Sequence, residues 1–300
     1  MKLGGVLFFP VTPFGADGGV AAGALAEHIR RGLTHGPGGV FVACGTGEFS
    51  ALSIAEHDVA VRTAVTAVAG RAPVIAGAGG PLGAAVRQAA QAAEAGAGGL
   101  LLMPPYLAQG PYAGLRSYVR AVTEAAAGLP VILYQRGGVV LDPAQAVDLA
   151  RIPGVAGLKD GTGDIDRMAR IVLAVRRELG PDFTFFNGLP TAELTAPAYR
   201  AIGVDLYSSA MFAFAPEVAA AFRTALDTGD GTRVQQLTEG FYAPFAELRA
   251  TTPGYAVSLV KAAVRLNGID VGPVRPPLAE PSPPHLAELT RIIEAGRALI

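Results

Sequence analysis

The chain has 300 residues, of which 51% are hydrophobic and only 16% are charged. A chain this long and apolar can bury a large core, which excludes intrinsic disorder. The 24 basic and 25 acidic side chains nearly cancel, so the composition gives no electrostatic signature for binding nucleic acid or an anionic membrane. The single cysteine, Cys44, excludes an internal disulfide, and the four histidines show no metal-ligand spacing. We therefore expect no metal site.

The first residues are apolar, but Pro10 and Pro13 interrupt them and no small-residue cleavage site follows. They are predicted to form a strand rather than a signal peptide. No uninterrupted apolar run reaches the roughly 18 residues that a membrane-spanning helix needs. We expect no membrane span and a cytoplasmic location.

Eight short runs of β-branched or aromatic residues, each bounded by Gly or Pro, alternate with longer alanine-rich stretches of helical period. The hydrophobicity within each run is continuous, which indicates strands buried on both faces, as in a parallel sheet covered by helices. Eight strand–helix units without a long linker predict a closed (β/α)8 barrel rather than an open sheet. The predicted strands are residues 6–10, 39–44, 73–78, 99–103, 131–134, 155–159, 183–187 and 205–209.

Helix-start signals lie between the runs. Ser53 and Glu56 have capping-box spacing, and Asp142 stands before Pro143 at a first helical position. Thr191 is expected to begin a helix in a similar way.

The barrel units occupy residues 1–226 in this interpretation. Residues 227–300 carry helical patterns at 232–248, 256–266 and 284–299. Because no shift in composition separates the two parts, we predict that 227–300 is a C-terminal helical extension of the same domain.

In a barrel the chemistry lies where strands run into the following loops, and Lys159 ends the sixth run. The chain has three lysines against 21 arginines, so lysine is rarely used here for surface charge. Burial would lower the pKa of the amine and make it a candidate Schiff-base nucleophile. The alternative is a structural lysine paired with Asp160 or with another carboxylate at a strand end. Lys2 is expected to be solvated and Lys261 to lie on the polar face of a helix.

Tyr134 ends the fifth run, so its hydroxyl is a candidate proton relay next to Lys159, or else a packing group that bonds to backbone. The turn Gly45-Thr46-Gly47 is suited to hold a carboxylate or phosphate with backbone amides and a hydroxyl, although tight strand–helix turns often contain glycine. Glu48 is a candidate catalytic acid, with a structural carboxylate as the favoured alternative.

The motifs Gly45-Thr46-Gly47-Glu48, Tyr134 and Gly157-Leu158-Lys159-Asp160 resemble those of the dihydrodipicolinate synthase / N-acetylneuraminate lyase superfamily. Its members are Schiff-base enzymes on (β/α)8 barrels. Within it the likeness is greatest to the 5-dehydro-4-deoxyglucarate dehydratase branch and runs nearly end to end. The motifs that carry it lie at residues 9–14, 45–49, 102–107, 159–161, 188–193, 207–210, 254–258 and 272–277.

The resemblance implies that Lys159 forms an iminium with the 2-oxo acid group of the substrate and that Tyr134 shuttles protons. Thr46 and the amides around Gly45 and Gly47 would hold the carboxylate next to the ketone. Gly45 stands where lyases and synthases of the superfamily usually carry Ser or Thr, which suits the dehydratase branch.

The resemblance also implies that Ser209 and Thr191 contact the hydroxyls or the distal carboxylate of the substrate. Tyr106 corresponds to a position that reaches into a neighbouring subunit's site in some relatives. The expected assembly is a homo-oligomer, a tetramer or dimer of dimers, and neither metal nor organic cofactor is implied.

The implied chemistry uses the iminium at C5 of the sugar acid as an electron sink. Loss of a C4 proton gives an enamine that expels the C3 hydroxyl as water. Later electron flow into the iminium releases CO2 and leaves 2,5-dioxopentanoate.

Three departures from the dehydratase pattern concern the substrate. Gln135 stands where Asn is expected, Ala213 where a second Asn is expected, and residues 251–253 replace a basic stretch. If those polar groups bind a dicarboxylate, their loss weakens the substrate assignment and leaves the Schiff base untouched.

Three alternatives stay open. An aldolase or lyase of the same superfamily would release pyruvate. A nicotinamide oxidoreductase is disfavoured because the turn at 45–47 lacks the third glycine of the dinucleotide fingerprint. A non-catalytic sugar-acid sensor would bind ligand without turnover.

Overall fold

Eight parallel strands close into a barrel in chain order, and the first strand pairs with both the second and the eighth. The structure is a computed structural model that describes residues 2–105 and 110–300. The predicted (β/α)8 architecture is confirmed. The strands are β1 (Leu7–Phe8), β2 (Gly39–Val42), β3 (Val74–Ala78), β4 (Gly99–Leu102), β5 (Val131–Gln135), β6 (Val155–Asp160), β7 (Thr184–Asn187) and β8 (Leu206–Ser209).

Helices surround the barrel and continue beyond it. No helix among the described residues is long and apolar enough to cross a bilayer. The α-helices are α1 (Ala22–Leu33), α2 (Ile54–Val68), α3 (Leu82–Glu94), α4 (Tyr112–Ala125), α5 (Pro143–Ala150), α6 (Ile165–Leu179), α7 (Ala196–Ala201), α8 (Pro216–Thr228), α9 (Gly231–Leu237), α10 (Ala243–Ala250), α11 (Tyr255–Leu266) and α12 (Pro283–Ala298).

Two of the three predicted helix starts are confirmed. Ser53 and Asp142 each form a capping box with the residue three positions on. The expectation for Thr191 is wrong: it has left-handed backbone angles, its side chain makes no cap, and a short 3-10 helix, Ala192–Thr195, follows it. Its hydroxyl instead accepts a hydrogen bond from Arg249.

Strand side chains divide into two layers by the two-residue period of a β-strand. Ile132 and Tyr134 of β5 point into the barrel interior, whereas Leu133 packs outward against the helices. The register pairs Tyr134 with Lys159 of β6. The two predicted catalytic side chains therefore lie side by side on the inner face, at the carboxyl ends of adjacent strands.

The C-terminal helices return to the barrel mouth. The expectation that Lys261 lies on a polar helix face is wrong, because its side chain on α11 is fully buried. Its Nζ donates a hydrogen bond of 2.7 Å to the buried Glu48 carboxylate, and the backbone N–H of Arg275 donates to the other oxygen of Glu48 at 2.8 Å. This pairing ties the loop after β2 to the segment after α11.

Candidate active site

A cavity of about 380 Å³ opens at the carboxyl ends of the strands. Its walls come from the strand-end loops, from α10 and α11, and from the segment around Arg275. This is the face on which barrel enzymes bind their substrates. The charged and hydroxylic residues of the cavity wall include Thr46, Tyr134, Arg136, Lys159, Thr191, Ser208, Arg249 and Arg275.

Lys159 lies at the base of this cavity with 5% of its surface exposed. Its Nζ is 4.4 Å from the ring centroid of Phe9 and 4.5 Å from that of Tyr134. Burial lowers the pKa of Lys159 to about 7, and the charge of Arg136 acts in the same direction. A large fraction of the amine is therefore unprotonated and nucleophilic near neutral pH.

The alternative for Lys159, a pairing with Asp160, is wrong because the two side chains lie on opposite faces of β6. The Asp160 carboxylate is buried in the outer layer, where it accepts hydrogen bonds from Gln135, Thr162 and Tyr199. Asp160 thus stabilises the strand ends and leaves the amine of Lys159 directed at the cavity.

Tyr134 is held by the loop after β7. Its hydroxyl donates a hydrogen bond of 2.8 Å to the carbonyl of Gly188. The same hydroxyl and ring border Gly161, where an added Cβ would lie 2.8 Å from Tyr134 Cε2. The phenol is thereby fixed next to Lys159, where it is able to pass protons to and from a substrate bound to the amine.

The turn after β2 divides its residues between the cavity and the scaffold. Gly45 and Thr46 line the cavity. Gly47 is buried beneath them, and its carbonyl accepts a hydrogen bond of 2.7 Å from the Thr12 hydroxyl. Glu48 has its carboxylate bonded to Lys261 and Arg275, which supports the structural alternative for this residue.

Of the two residues predicted to contact substrate hydroxyls or the distal carboxylate, Thr191 lines the cavity and Ser209 does not. Ser209 points outward from β8, and its hydroxyl accepts a hydrogen bond of 3.1 Å from the backbone N–H of Phe212. Its neighbour Ser208 lines the cavity instead. Tyr106, the predicted intersubunit residue, lies outside the described residues.

The three sequence departures lie away from the cavity. Gln135 is in the outer layer, where its amide donates to Asp160 and its carbonyl accepts from the N–H of Leu141. Ala213 packs into the outer core from the 3-10 helix Met211–Ala213. The hydroxyl of Thr251 donates to the Leu248 carbonyl in the turn between α10 and α11. None of the three lines the cavity.

Three cationic side chains of the cavity wall, Arg136, Arg249 and Arg275, were not among the predicted site residues. Arg136 follows Tyr134 at the end of β5, and Arg249 comes from α10. Arg136 could have been found, because it stands at a strand end. Arg249 carries no local signal, since it lies in a helix far along the chain from any strand end.

The arrangement suits chemistry on a 2-oxo acid. A nucleophilic amine, an adjacent phenol, a turn with a hydroxyl and three arginines line one space. Within residues 2–105 and 110–300, no group of three His, Cys, Asp or Glu side chains is placed to hold a metal ion.

Comparison with known proteins gives a consistent result. The profile of the dihydrodipicolinate synthetase family matches residues 2–296. The chain is 56% identical to a protein of Streptomyces coelicolor named "Probable 5-dehydro-4-deoxyglucarate dehydratase 1", over 99% of this chain and 94% of that protein. It is 42% identical to a protein of Azotobacter vinelandii named "Probable 5-dehydro-4-deoxyglucarate dehydratase", over 96% of this chain and 94% of the relative.

Solved structures show the same fold at lower identity. Dihydrodipicolinate synthase from Bacillus clausii superposes with a TM-score of 0.88 at 27% identity, covering 98% of this chain and 97% of that one. An Escherichia coli K12 prophage protein of the dihydrodipicolinic acid synthase family, solved in complex with pyruvate, gives a TM-score of 0.87 at 26% identity and covers 98% of both chains.

Proposed function

Because the chain belongs to the dihydrodipicolinate synthetase family, we propose that it is a Schiff-base dehydratase and decarboxylase that converts 5-dehydro-4-deoxy-D-glucarate to 2,5-dioxopentanoate, water and CO2. The observation that carries this proposal is the amine of Lys159, buried at the base of the cavity with a pKa of about 7. The names of relatives that match nearly the whole chain support the dehydratase reaction over others of the family.

The reaction begins with attack of the neutral Lys159 amine on the C5 ketone. The resulting carbinolamine loses its hydroxyl as water and becomes an iminium, which makes the C4 protons acidic. Gly45 and Thr46, with the buried Gly47 behind them, are suited to hold the C6 carboxylate next to the ketone.

Dehydration then removes one C4 proton and expels the C3 hydroxyl, which leaves as water after taking a proton. The phenol of Tyr134 is placed to carry these protons. The product of this step is an iminium conjugated to a C3–C4 double bond.

Decarboxylation uses the same electron sink. The C1–C2 bond breaks, its electrons flow through the conjugated system to nitrogen, and C1 leaves as CO2. The dienamine takes a proton at C4, and the C2 enol takes one at C3 as it becomes the aldehyde. Water then hydrolyses the iminium, which releases 2,5-dioxopentanoate and the free amine and restores the water lost in its formation.

Borohydride trapping with 5-dehydro-4-deoxyglucarate tests the proposal. We expect a reduced adduct on Lys159, read by intact mass and peptide mapping, whose mass shows that water or CO2 has already left. Lys159→Ala should abolish both adduct and turnover, and Lys159→Arg should fail as well because a guanidinium stays protonated.

Other outcomes have defined meanings. An adduct that retains every substrate atom would argue for a different natural substrate. Trapping of pyruvate alone, or pyruvate as a reaction product, would favour an aldolase or lyase. The absence of an adduct with either acid would overturn the Schiff-base assignment and favour a sugar-acid sensor.

The proposal includes a homo-oligomer, a tetramer or dimer of dimers, working in the cytoplasm. The assembly rests on what the family resemblance implies, and the location rests on the sequence, in which no signal peptide or membrane span is expected. Light scattering coupled to size exclusion measures the assembly, where a monomer at working concentration would contradict it, and cell fractionation tests the location.

A further inference from the structure

Arg249 is a half-buried cation that faces the cavity without a carboxylate partner in contact. Its Nη1 donates a hydrogen bond of 2.5 Å to the Thr191 hydroxyl. The guanidinium forms no ion pair within the described parts of the chain, and the charge that acts on it is that of Glu193, from beyond contact distance. Burial lowers the pKa of Arg249, because removing a charged guanidinium from water costs free energy. Keeping the charge in this position therefore destabilises the folded protein when no ligand is bound.

Two other half-buried arginines are neutralised by carboxylates. Arg223 forms ion pairs of 2.7 Å with Asp205 and 2.8 Å with Asp227. Arg275, also on the cavity wall, pairs with Glu56. Arg249 therefore differs from these two arginines, and a half-buried cation without an ion pair in a cavity is a candidate site for an anionic ligand.

Glu193 is a poor counter-ion for Arg249. Its carboxyl is buried, with 1% of the residue exposed. Burial raises the pKa of Glu193 to about 7, against the opposing effects of Ser209 and Arg249. A carboxyl that is only partly ionised at neutral pH leaves most of the Arg249 charge available to a ligand.

The Arg249 guanidinium is also better anchored than that of Arg136. Thr191, its hydrogen-bond acceptor, is itself buried and held in a left-handed turn. Arg136 is exposed and lies over the Tyr134 ring at 5.9 Å from the centroid. An anchored cation loses less conformational freedom when it binds, so it discriminates better between ligands.

We propose that Arg249, oriented by Thr191, binds the carboxylate remote from the ketone and so selects six-carbon oxo dicarboxylates over monocarboxylates. This inference rests on the proposed function and adds the residue that recognises the second carboxylate. The turn at Gly45 and Thr46 serves the first carboxylate from the end of β2, and Arg249 serves the second from α10, so the two anionic groups of one substrate have separate binding groups.

The remote carboxylate is the one that leaves as CO2. Because CO2 is neutral, its attraction to Arg249 is lost as the C1–C2 bond breaks. An interaction that is stronger in the bound substrate than in the transition state strengthens binding and opposes that step. Replacing Arg249 should therefore raise KM more than it lowers kcat.

The test uses borohydride trapping on Lys159 with two oxo acids of equal length, so that it does not depend on dehydration. 2-Oxoadipate carries the remote carboxylate, and 2-oxohexanoate ends in a methyl group instead. The concentration giving half-maximal adduct is measured in the wild type, in Arg249→Gln and in Arg249→Lys. Arg291→Gln, which removes an exposed charge from α12, is the matched control.

We expect wild type and Arg291→Gln to trap 2-oxoadipate at a concentration about 10- to 100-fold lower than 2-oxohexanoate, the range of a charge-assisted hydrogen bond. Arg249→Gln should lose this preference by raising the value for 2-oxoadipate alone, and Arg249→Lys should retain part of it.

Two results would overturn the assignment of Arg249 while leaving the proposed function in place. In the first, Arg249→Gln keeps the wild-type preference for 2-oxoadipate over 2-oxohexanoate. Another residue would then bind the remote carboxylate. In the second, Arg249→Gln raises the concentration for half-maximal adduct equally for both acids. Arg249 would then stabilise the structure of the whole site rather than bind the remote carboxylate. No adduct with any oxo acid in the wild type would instead overturn the proposed function itself.

Discussion

Gly188 lies against the side chain of Lys159 so closely that a Cβ at position 188 would be 2.4 Å from Lys159 Cε. The carbonyl of the same residue accepts the hydrogen bond of Tyr134. One residue without a side chain thus sets the position of both the amine and the phenol.

Gly188→Ala should therefore displace Lys159 and lower kcat by about 10²-fold, the effect of a misplacement of about 1 Å. Turnover and the melting temperature are measured together. Gly83→Ala is the control, because a Cβ there meets nothing within 4 Å. Wild-type turnover in Gly188→Ala would show that the amine has room to shift without loss.

Tyr134→Phe should slow the reaction by about 10²–10⁴-fold if the phenol carries protons. The ring and its packing remain, so the adduct on Lys159 should still form, more slowly. Tyr118→Phe is matched to it, because that hydroxyl donates a comparable buried bond of 3.0 Å, to Gly80, away from the cavity. A near-wild-type rate in Tyr134→Phe would reduce Tyr134 to a packing residue.

The pH dependence of kcat/KM should report the depressed pKa of Lys159. The neutral amine is the nucleophile, so kcat/KM should fall about tenfold per pH unit below an inflection near 7 and level off above it. Removal of the Arg136 charge in Arg136→Gln takes away one cause of the low pKa, and the inflection should move to higher pH. An inflection near 10, typical of a solvated lysine, would contradict the burial argument.

Breaking the buried pair of Glu48 and Lys261 should destabilise the fold more than breaking any surface pair among the described residues. Both side chains are 0% exposed, so Glu48→Gln or Lys261→Met leaves an uncompensated buried charge and should lower the free energy of unfolding by about 3–5 kcal/mol. Urea unfolding measures this.

The double variant, Glu48→Gln with Lys261→Met, distinguishes the interaction between the two side chains from the interactions that each makes with its other neighbours. It should lose less than the sum of the two single losses, since neither charge is then stranded. Strict additivity would show that the two side chains stabilise the protein independently.

The strands, the barrel and the position of Lys159 were predictable because their signals are local. An apolar run bounded by Gly or Pro shows where a strand lies, and the last residue of the run shows what reaches the barrel mouth. The capping boxes at Ser53 and Asp142 are equally local, and both are confirmed. The division at residue 226 into a barrel and an extension of one domain stays a prediction.

The direction in which individual strand side chains point was not predictable. The continuous hydrophobicity that made the strands easy to find also removes any difference between their two faces. A strand buried on both faces has no polar alternation, so nothing in the run Leu206–Ser209 indicates that Ser208, and not Ser209, points into the cavity. The outward position of Gln135 was hidden in the same way. A run of apolar neighbours around Lys261 was the one available sign of its burial.

The amino-acid sequence by itself determined the architecture and the positions of Lys159 and Tyr134 at adjacent strand ends, because each depends on residues close together in the chain. Only the tertiary structure decided that Lys261 reaches Glu48, 213 positions away, and that Arg249 stands on the cavity wall beside Thr191. Contacts of this kind depend on how helices pack over the barrel mouth, and that packing is set by the sum of many buried surfaces rather than by a pattern in any one segment.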